Sequence, residues 1–78
     1  MNDSEKNLNL KAKKILAEAL SLNYLDIKSE ASPIIYDNWD SLNHVKLIMI
    51  LEKEIGRKLD TAEILSIDSL EKIKKLLG

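Results

Sequence analysis

The chain has 78 residues, 45% of them apolar, and its 12 basic and 13 acidic residues leave a net charge of −1. This balance lacks the basic excess of a nucleic-acid-binding surface, which disfavours a helix-turn-helix DNA-binding protein. The absence of cysteine excludes disulfides and thiolate metal sites. No apolar run approaches the ~18 residues of a membrane span, and the first six residues show no secretory signal. We therefore expect one cytoplasmic domain over residues 1–78.

The first predicted helix begins near Ser4 or Glu5 and ends at about Leu22. Its apolar residues recur at three- and four-residue spacing, which places them on one helix face. They are Leu8, Ala12, Ile15, Leu16, Ala19, Leu20 and Leu22. We therefore expect an amphipathic helix that packs against the core.

Residues 23–40 break this pattern and are predicted to form a long loop. Pro33 biases Ser32 away from helical conformation, and turn-forming residues lie on both sides of it. The loop is nevertheless rich in apolar residues, namely Leu25, Ile27, Ile34, Ile35, Tyr36 and Trp39. This composition argues against disorder, so we expect these residues to anchor the loop to the core.

A second long helix is predicted from Asp40 or Ser41 to about Ile55. Gly56 follows its last turn, where a glycine in the left-handed conformation ends many helices. The apolar residues of this helix cover more than one face; they include Leu42, Val45, Leu47, Ile48, Met49, Ile50 and Leu51. Such a width indicates either packing on two sides or apolar surface left for a partner.

Two further helices complete the pattern. A short one is predicted over 61–65, with Asp60 or Thr61 as its N-cap, and the last helix is predicted from Asp68 or Ser69 to Leu77. The predicted fold is therefore all-α. It is a four-helix bundle with three long helices, a short third helix and a long loop between helices 1 and 2.

The triplet Asp-Ser-Leu occurs twice, at Asp40-Ser41-Leu42 and at Asp68-Ser69-Leu70, each time at a predicted helix start. Since Asp and Ser are both preferred N-caps, an isolated copy is more often a cap than a functional serine. The second copy fits this interpretation fully, because Glu71 follows Asp68 by three residues and completes a capping box.

The first copy fits a cap less well. Asn43 stands three residues after Asp40, so the glutamate of a capping box is missing, and Trp39 precedes the acid. A helix N-terminus also has free backbone N–H groups and the positive end of the helix dipole, which favour a bound phosphate. These features indicate Ser41 as the functional serine.

With its position near mid-chain, after a long loop and before an apolar helix, the first triplet resembles the attachment site of acyl carrier proteins. The resemblance covers the chain from the first helix to Leu77. It implies that a phosphopantetheinyl transferase attaches 4′-phosphopantetheine to Ser41, and that Asp40 and Leu42 help this enzyme to recognise the site. The prosthetic thiol would then carry acyl or aminoacyl groups as thioesters between loading and accepting enzymes, and the chain itself would be a monomer without enzymatic activity.

Several residues depart from carriers of fatty acid synthesis. The glycine usual before the acid is replaced by Asn38-Trp39, and residues 40–58 hold three acids against four bases. Asn43, His44 and Lys46 stand where acidic residues would be usual. By resemblance, the chain is more similar to carriers dedicated to specialised biosynthetic routes, with a different electrostatic match to their partners.

Other interpretations of these residues remain open. His44 can contact the prosthetic phosphate or a partner, although a solvated histidine on the helix surface is favoured; Trp39 is favoured as a core residue over a partner contact. Val45, Ile48 and Met49 can shelter an acyl chain, although each is more often an ordinary core residue.

Two alternative functions remain. Ser41 and His44 as a nucleophile and base lack a third orienting group and an oxyanion site. A helical protein-interaction module without a prosthetic group is the stronger alternative.

Overall fold

A computed structural model describes residues 3–78 of the chain, and over that range the fold is all-α. Its α-helices are α1 (Asp3–Leu20), α2 (Ser41–Ile55), α3 (Thr61–Ser66) and α4 (Leu70–Leu77), with a 3-10 helix at Tyr24–Asp26. Met1 and Asn2 lie outside the described residues. Within the described range, none of the helices combines the length and the apolar composition that crossing a bilayer requires.

The core lies where α1 packs against both α2 and α4. Its most deeply buried large side chains are Leu16, Leu20, Leu47, Leu51 and Ile73, which come from all three of these helices. Truncating a leucine at such a position costs about 2–5 kcal/mol. The predicted amphipathic patterns of α1 and α2 therefore reflect real burial.

The first helix ends at Leu20, so the predicted end at Leu22 is wrong by two residues. Ser21 has φ of 59°, and the N–H of Leu22 donates to the carbonyl of Ala17 at 2.8 Å. A left-handed residue followed by this hydrogen bond is the Schellman pattern of helix termination. Leu22 extends the apolar periodicity because its side chain still packs against the core, although its backbone has left the helix.

The second helix begins at Ser41 and ends at Ile55, at the positions that the sequence pattern indicated. Gly56 has φ of 77°, and its N–H donates to the carbonyl of Glu52. A side chain other than glycine is strained in this left-handed conformation. The reason for glycine at this position is thus the backbone angle, since a Cβ atom there would meet nothing within 4 Å.

The third helix is held at its start by a complete capping box. The Asp60 carboxylate accepts from the N–H of Glu63, and the Glu63 carboxylate accepts from the N–H of Asp60. Arg57 donates two hydrogen bonds to Glu63, at 3.1 and 2.8 Å. These bonds, followed by that from Asp60, lower the pKa of Glu63 to about 2. Asp60, one of the two predicted caps, is thus the N-cap of α3.

The segment between α1 and α2 is only partly anchored. Ile27, Ala31 and Trp39 are buried, and the Tyr36 hydroxyl donates to the carbonyl of Asp26 at 2.8 Å while it accepts from the N–H of Lys28 at 3.0 Å. The two hydrogen bonds join the two halves of the segment, and the three buried side chains hold it against the core.

The prediction that Leu25, Ile34 and Ile35 also anchor this segment is wrong, because all three are exposed, Ile34 by 93%. The N–H groups of Ile35 and Tyr36 both donate to the carbonyl of Ser32. The resulting turn leaves Ile34 at its outer tip. Local turn geometry, which apolar composition does not report, thus decides which side chains reach the core.

Candidate functional site

Ser41 is the first residue of α2, and its side chain is exposed. Among residues 3–78, its hydroxyl has no hydrogen-bond partner. The N–H groups of Asn43 and His44 donate to the side chain and the carbonyl of Asp40, at 2.9 and 2.8 Å. The N–H groups of Ser41 and Leu42 have no acceptor in the same described range. The start of α2 therefore presents a free hydroxyl beside two free backbone donors.

Asp40 is the N-cap of α2, with an extended backbone and its carboxylate bonded to the helix. A carboxylate at this end of a helix also interacts favourably with the helix dipole. Asp40 therefore fixes where α2 begins and makes Ser41 the first helical residue. Because the acid takes the capping role, the serine hydroxyl beside it is not used in capping.

The second triplet is arranged differently, and the predicted capping box of Asp68 and Glu71 is wrong. Ser69 is the N-cap of α4, and its hydroxyl accepts from the N–H of Lys72 at 3.3 Å. Asp68 lies before the cap and pairs with the ammonium of Lys72 at 3.3 Å. The more general prediction, that this triplet is a helix cap, is confirmed, but the serine rather than the acid is the cap.

Two asparagines fix the backbone that enters α2. The side-chain amide of Asn38 donates to the carbonyl of Leu20 at 2.8 Å, at the end of α1. The side-chain amide of Asn43, in the first turn of α2, donates to the carbonyl of Asn38 at 2.7 Å. These bonds tie the end of the first helix to the start of the second. No sequence pattern predicted these bonds, and their one signal in the sequence is the asparagine on each side of the triplet.

Trp39 is buried, with 5% of its surface exposed, and belongs to the core cluster. The favoured interpretation of this residue as core is therefore confirmed. Its indole Nε1–H donates to Nδ1 of His44 at 3.0 Å, and the two rings stack with their centroids 6.3 Å apart. A buried indole N–H usually requires such an acceptor. Trp39 is thus both a core residue and the hydrogen-bond donor to His44 on α2.

His44 is half-buried, and both of its ring nitrogens are engaged. Besides the bond from Trp39, its Nε2 lies 2.9 Å from the carbonyl oxygen of Ile64 in α3. The favoured interpretation of a solvated histidine on the helix surface is therefore wrong. That interpretation considered α2 alone. The first turn of α2 is covered by α3, whose Ile64 lies 20 residues further along the chain.

An open depression of about 580 Å³ lies beside Ser41. Its wall combines the start of α2 with the loop before it and with the end of α3. The lining residues are Pro33, Trp39, Asp40, Ser41, His44, Leu65, Ile67 and Asp68. Both halves of the site, the free hydroxyl and the Trp39–His44 pair, therefore border the same space.

Three apolar side chains on α2 are exposed: Leu42, Val45 and Met49. Their spacing of three and four residues places them on one side of the helix, and we call them the α2 apolar face. Ile48, by contrast, is buried. The interpretation of these residues as ordinary core is thus confirmed for Ile48 and wrong for Val45 and Met49. On α3, Leu65 is also exposed.

The charges around this face are mixed. Asp40 and Asp68 line the depression, whereas Lys46 is exposed on α2. No cluster of acidic residues or histidine that could hold a metal ion occurs in the described part of the chain. The site is therefore a free serine hydroxyl with an apolar surface beside it and little net charge.

No protein-family model matches the chain. The function is consequently argued from the start of α2, where a free hydroxyl, free N–H groups and an exposed apolar face lie together. The second serine of the repeated triplet supplies an internal comparison for that argument.

Proposed function

We propose that this chain is an acyl carrier protein that carries 4′-phosphopantetheine on Ser41. One observation carries the proposal: Ser41 is exposed, and its hydroxyl has no partner among residues 3–78. Ser69, in the same three-residue context, spends its hydroxyl on capping α4. A residue that an enzyme must modify has to be accessible and free, and only the first of the two serines meets both conditions.

The residues at the start of α2 fit a phosphodiester attached to Ser41. The free N–H groups of Ser41 and Leu42 and the positive helix end favour a negative group at this position. The Asp40 carboxylate is already bonded to Asn43, so part of its charge is compensated. In the proposed transfer, the Ser41 oxygen forms a bond to the phosphorus next to pantetheine in coenzyme A, and the P–O bond to the nucleotide phosphate breaks. The nucleotide leaves, and the serine proton is released to it or to water.

The attached group would supply a terminal thiol on a flexible arm, which this cysteine-free chain lacks. Tethering raises the effective concentration of a thioester-bound acyl or aminoacyl group at a partner's active site. In this proposal the chain does no chemistry itself. Its own residues hold the attachment point at a fixed helix start and leave it open to enzymes.

The α2 apolar face is the surface that we propose for partner enzymes, namely the phosphopantetheinyl transferase and the acyl-loading and acyl-accepting enzymes. Leu42 is 70% exposed immediately beside Ser41, so any enzyme that reaches the hydroxyl also meets this side chain. The helix carries Lys46 and Lys53 against Glu52 and Glu54. We therefore expect docking to depend more on apolar contact than on pairing of opposite charges, as for a carrier of a specialised route.

A serine hydrolase is a poorer explanation of the same residues. His44 is the only histidine of the chain, and its ring nitrogens are bonded to Trp39 and Ile64. Neither nitrogen is free to take a proton from Ser41, as a general base must. These bonds support a carrier, in which the hydroxyl is activated by the transferase and not by the chain.

The proposal is tested by incubating the purified chain with coenzyme A and a broad-specificity phosphopantetheinyl transferase, followed by intact mass measurement. We expect the wild-type chain and Ser69→Ala to gain the mass of one phosphopantetheinyl group and Ser41→Ala to gain none. Failure of the wild-type chain to gain mass, while a known carrier is modified in the same tube, would overturn the proposal.

Two further variants separate recognition from helix capping. Asn is as good an N-cap as Asp, so Asp40→Asn keeps the helix start and removes the charge. Leu42→Ala removes an exposed side chain at little cost in stability. If both residues are recognised by the transferase, each variant is modified more slowly while its unfolding midpoint stays near that of the wild type.

The alternative is a protein-interaction module without a prosthetic group, which the exposed α2 apolar face also favours. The two functions differ in the role of the serine. For an interaction module, partner binding would depend on Val45 and Met49 but not on Ser41, and the mass of the chain would stay unchanged with the transferase.

A further inference from the structure

The third helix is attached to the rest of the fold mainly by hydrogen bonds and by the residues that flank it. None of its six residues, Thr61–Ser66, is buried. The buried residues nearest to it are Leu59 before the helix and Ile67 after it, and Ile64 is only partly buried against the core. Because apolar burial supplies most of the stability of short helices, additional bonds to α3 have a large influence on where it lies.

One such bond comes from His44 on α2. Its Nε2 lies 2.9 Å from the carbonyl oxygen of Ile64, and a carbonyl can only accept. Its Nδ1 accepts from the indole N–H of Trp39, which can only donate. These two partners fix the ring as the neutral tautomer with its hydrogen on Nε2.

This bond is placed next to the proposed attachment serine. Ser41 and His44 are three residues apart on α2, and both line the open depression that Leu65 borders from the side of α3. Leu65 directly follows Ile64, the residue that His44 holds. His44 is therefore one of the contacts that set the position of the α3 wall relative to the Ser41 hydroxyl, together with the bonds from Arg57 to Glu63 and from Lys72 to Ser66.

We propose that His44 is a positioning residue: as the Nε2-protonated tautomer it connects Trp39 to the carbonyl of Ile64 and so holds α3 beside Ser41. Trp39 is the buried end of this connection, and α3, which has no buried residue of its own, is the other end. The effect on α3 is a property of the unmodified chain. Its consequence for partner enzymes rests on the proposed carrier function.

The tautomer is tested first, in the wild-type chain, by long-range proton–nitrogen NMR correlations of the His44 ring at neutral pH. We expect a protonated Nε2 and an unprotonated Nδ1, with the indole N–H of Trp39 hydrogen-bonded. A ring protonated on Nδ1, or on both nitrogens, would overturn the proposal, and this measurement requires no variant that must fold.

Two substitutions then separate the two bonds. The side-chain nitrogen of His44→Gln reaches the position of Nε2 and can donate to Ile64, whereas the shorter His44→Asn can only accept from Trp39. We expect the amides of Ile64 and Ile67 to exchange with solvent about fivefold faster in His44→Asn, the loss expected from one hydrogen bond. In His44→Gln they are expected to stay within about twofold of the wild type, as are the amides of α4 in both variants.

Equal exchange of α3 in His44→Asn and the wild type would contradict the positioning role. So would equal acceleration throughout α3 and α4, because it would indicate general destabilisation. With the transferase, His44→Asn is expected to raise KM for the chain and leave kcat unchanged, and His44→Gln to restore KM. If no variant is modified at all, the carrier proposal fails while the exchange results still decide the role of His44.

Discussion

The two Asp-Ser-Leu triplets begin α2 and α4, but they are shifted by one residue relative to their helices. In the first, Asp40 is the N-cap, Ser41 is the first helical residue and Leu42 is 70% exposed. In the second, Ser69 is the N-cap, and Leu70 is the first helical residue with only 2% of its surface exposed. The shift by one residue leaves one serine free and engages the other.

We attribute the difference to α4, where burial of the leucine decides the first helical residue more than capping preference does. Asp and Ser are nearly equal as N-caps, so local propensity does not choose between them. Leu70 belongs to the core cluster, and the helix therefore starts where its first residue can be buried. At α2 no such demand exists, because the exposed Leu42 belongs to the apolar face beside Ser41.

The largest expected difference between the triplets lies in their leucines. Leu70→Ala is expected to lower the free energy of unfolding by about 2–5 kcal/mol, since it leaves a cavity in the core. Leu42→Ala is expected to change it by less than about 0.5 kcal/mol, as for other surface positions. Urea unfolding followed by circular dichroism measures both. Similar losses in the two variants would show that the register assigned to one of the helices is wrong.

The capping roles predict that the acid contributes to stability in the first triplet and the serine in the second. Asp40→Ala and Ser69→Ala each remove an N-cap and are expected to cost about 1 kcal/mol. The free energy of unfolding of Ser41→Ala is expected to stay within about 0.5 kcal/mol of the wild type, because Ser41 is exposed and its hydroxyl has no hydrogen-bond partner among residues 3–78. The same urea series provides the measurement. A cost for Ser41→Ala equal to that for Ser69→Ala would mean that the hydroxyl of Ser41 is engaged after all.

The start of α3 sharpens the comparison, since it forms a capping box and neither triplet does. The depressed pKa of Glu63, about 2 against about 4.3 for a free glutamate, gives stability that is present above the free value and lost as the pH falls towards 2. Glu63→Gln keeps a box-forming side chain but removes the charge. We expect its stability to change less than that of the wild type between roughly pH 4 and pH 2.

Arg57→Gln is the matched control for this pH dependence. The guanidinium of Arg57 is the main cause of the low pKa of Glu63, so its removal is expected to flatten the same part of the profile. Parallel pH profiles for the wild type and both variants would show that the ion pair does not contribute.

The smallest expected effect belongs to the acid of the second triplet. Asp68 pairs with Lys72 at 3.3 Å, with both side chains well exposed. Asp68→Ala is expected to cost less than about 0.5 kcal/mol, and the cost is expected to shrink as salt is added. Thermal unfolding at two salt concentrations measures it. A cost that equals that of Asp40→Ala and is independent of salt would identify Asp68 as a cap.

Much of the fold followed from short-range signals. The start and end of α2 were predictable because Asp40 and Gly56 act on residues within one helical turn. The identification of Ser41 as the functional candidate rested on local signals too, among them the missing glutamate at Asn43. These features need no information from distant parts of the chain, and one sequence therefore suffices for them.

The remainder depended on contacts between distant residues. The partner of His44 in α3 is 20 residues away, and the burial of Leu70 is decided by its packing in the core. Neither is encoded in the spacing of nearby residues. The exposure of Ile34 follows from the backbone turn at Ser32. Composition predicted that Ile34 would be buried, because it reports the apolar side chain and not the turn.

Trp39 is the only tryptophan of the chain, and it is buried in direct contact with the ring of His44. The tryptophan fluorescence of the protein therefore originates at one known place, within the wall of the depression beside Ser41. A change in tryptophan emission on modification of Ser41, or on docking of an enzyme without tryptophan, reports on the surroundings of Trp39 in that wall. The chain thus contains its own optical probe, and its proposed attachment point can be followed in real time without a label.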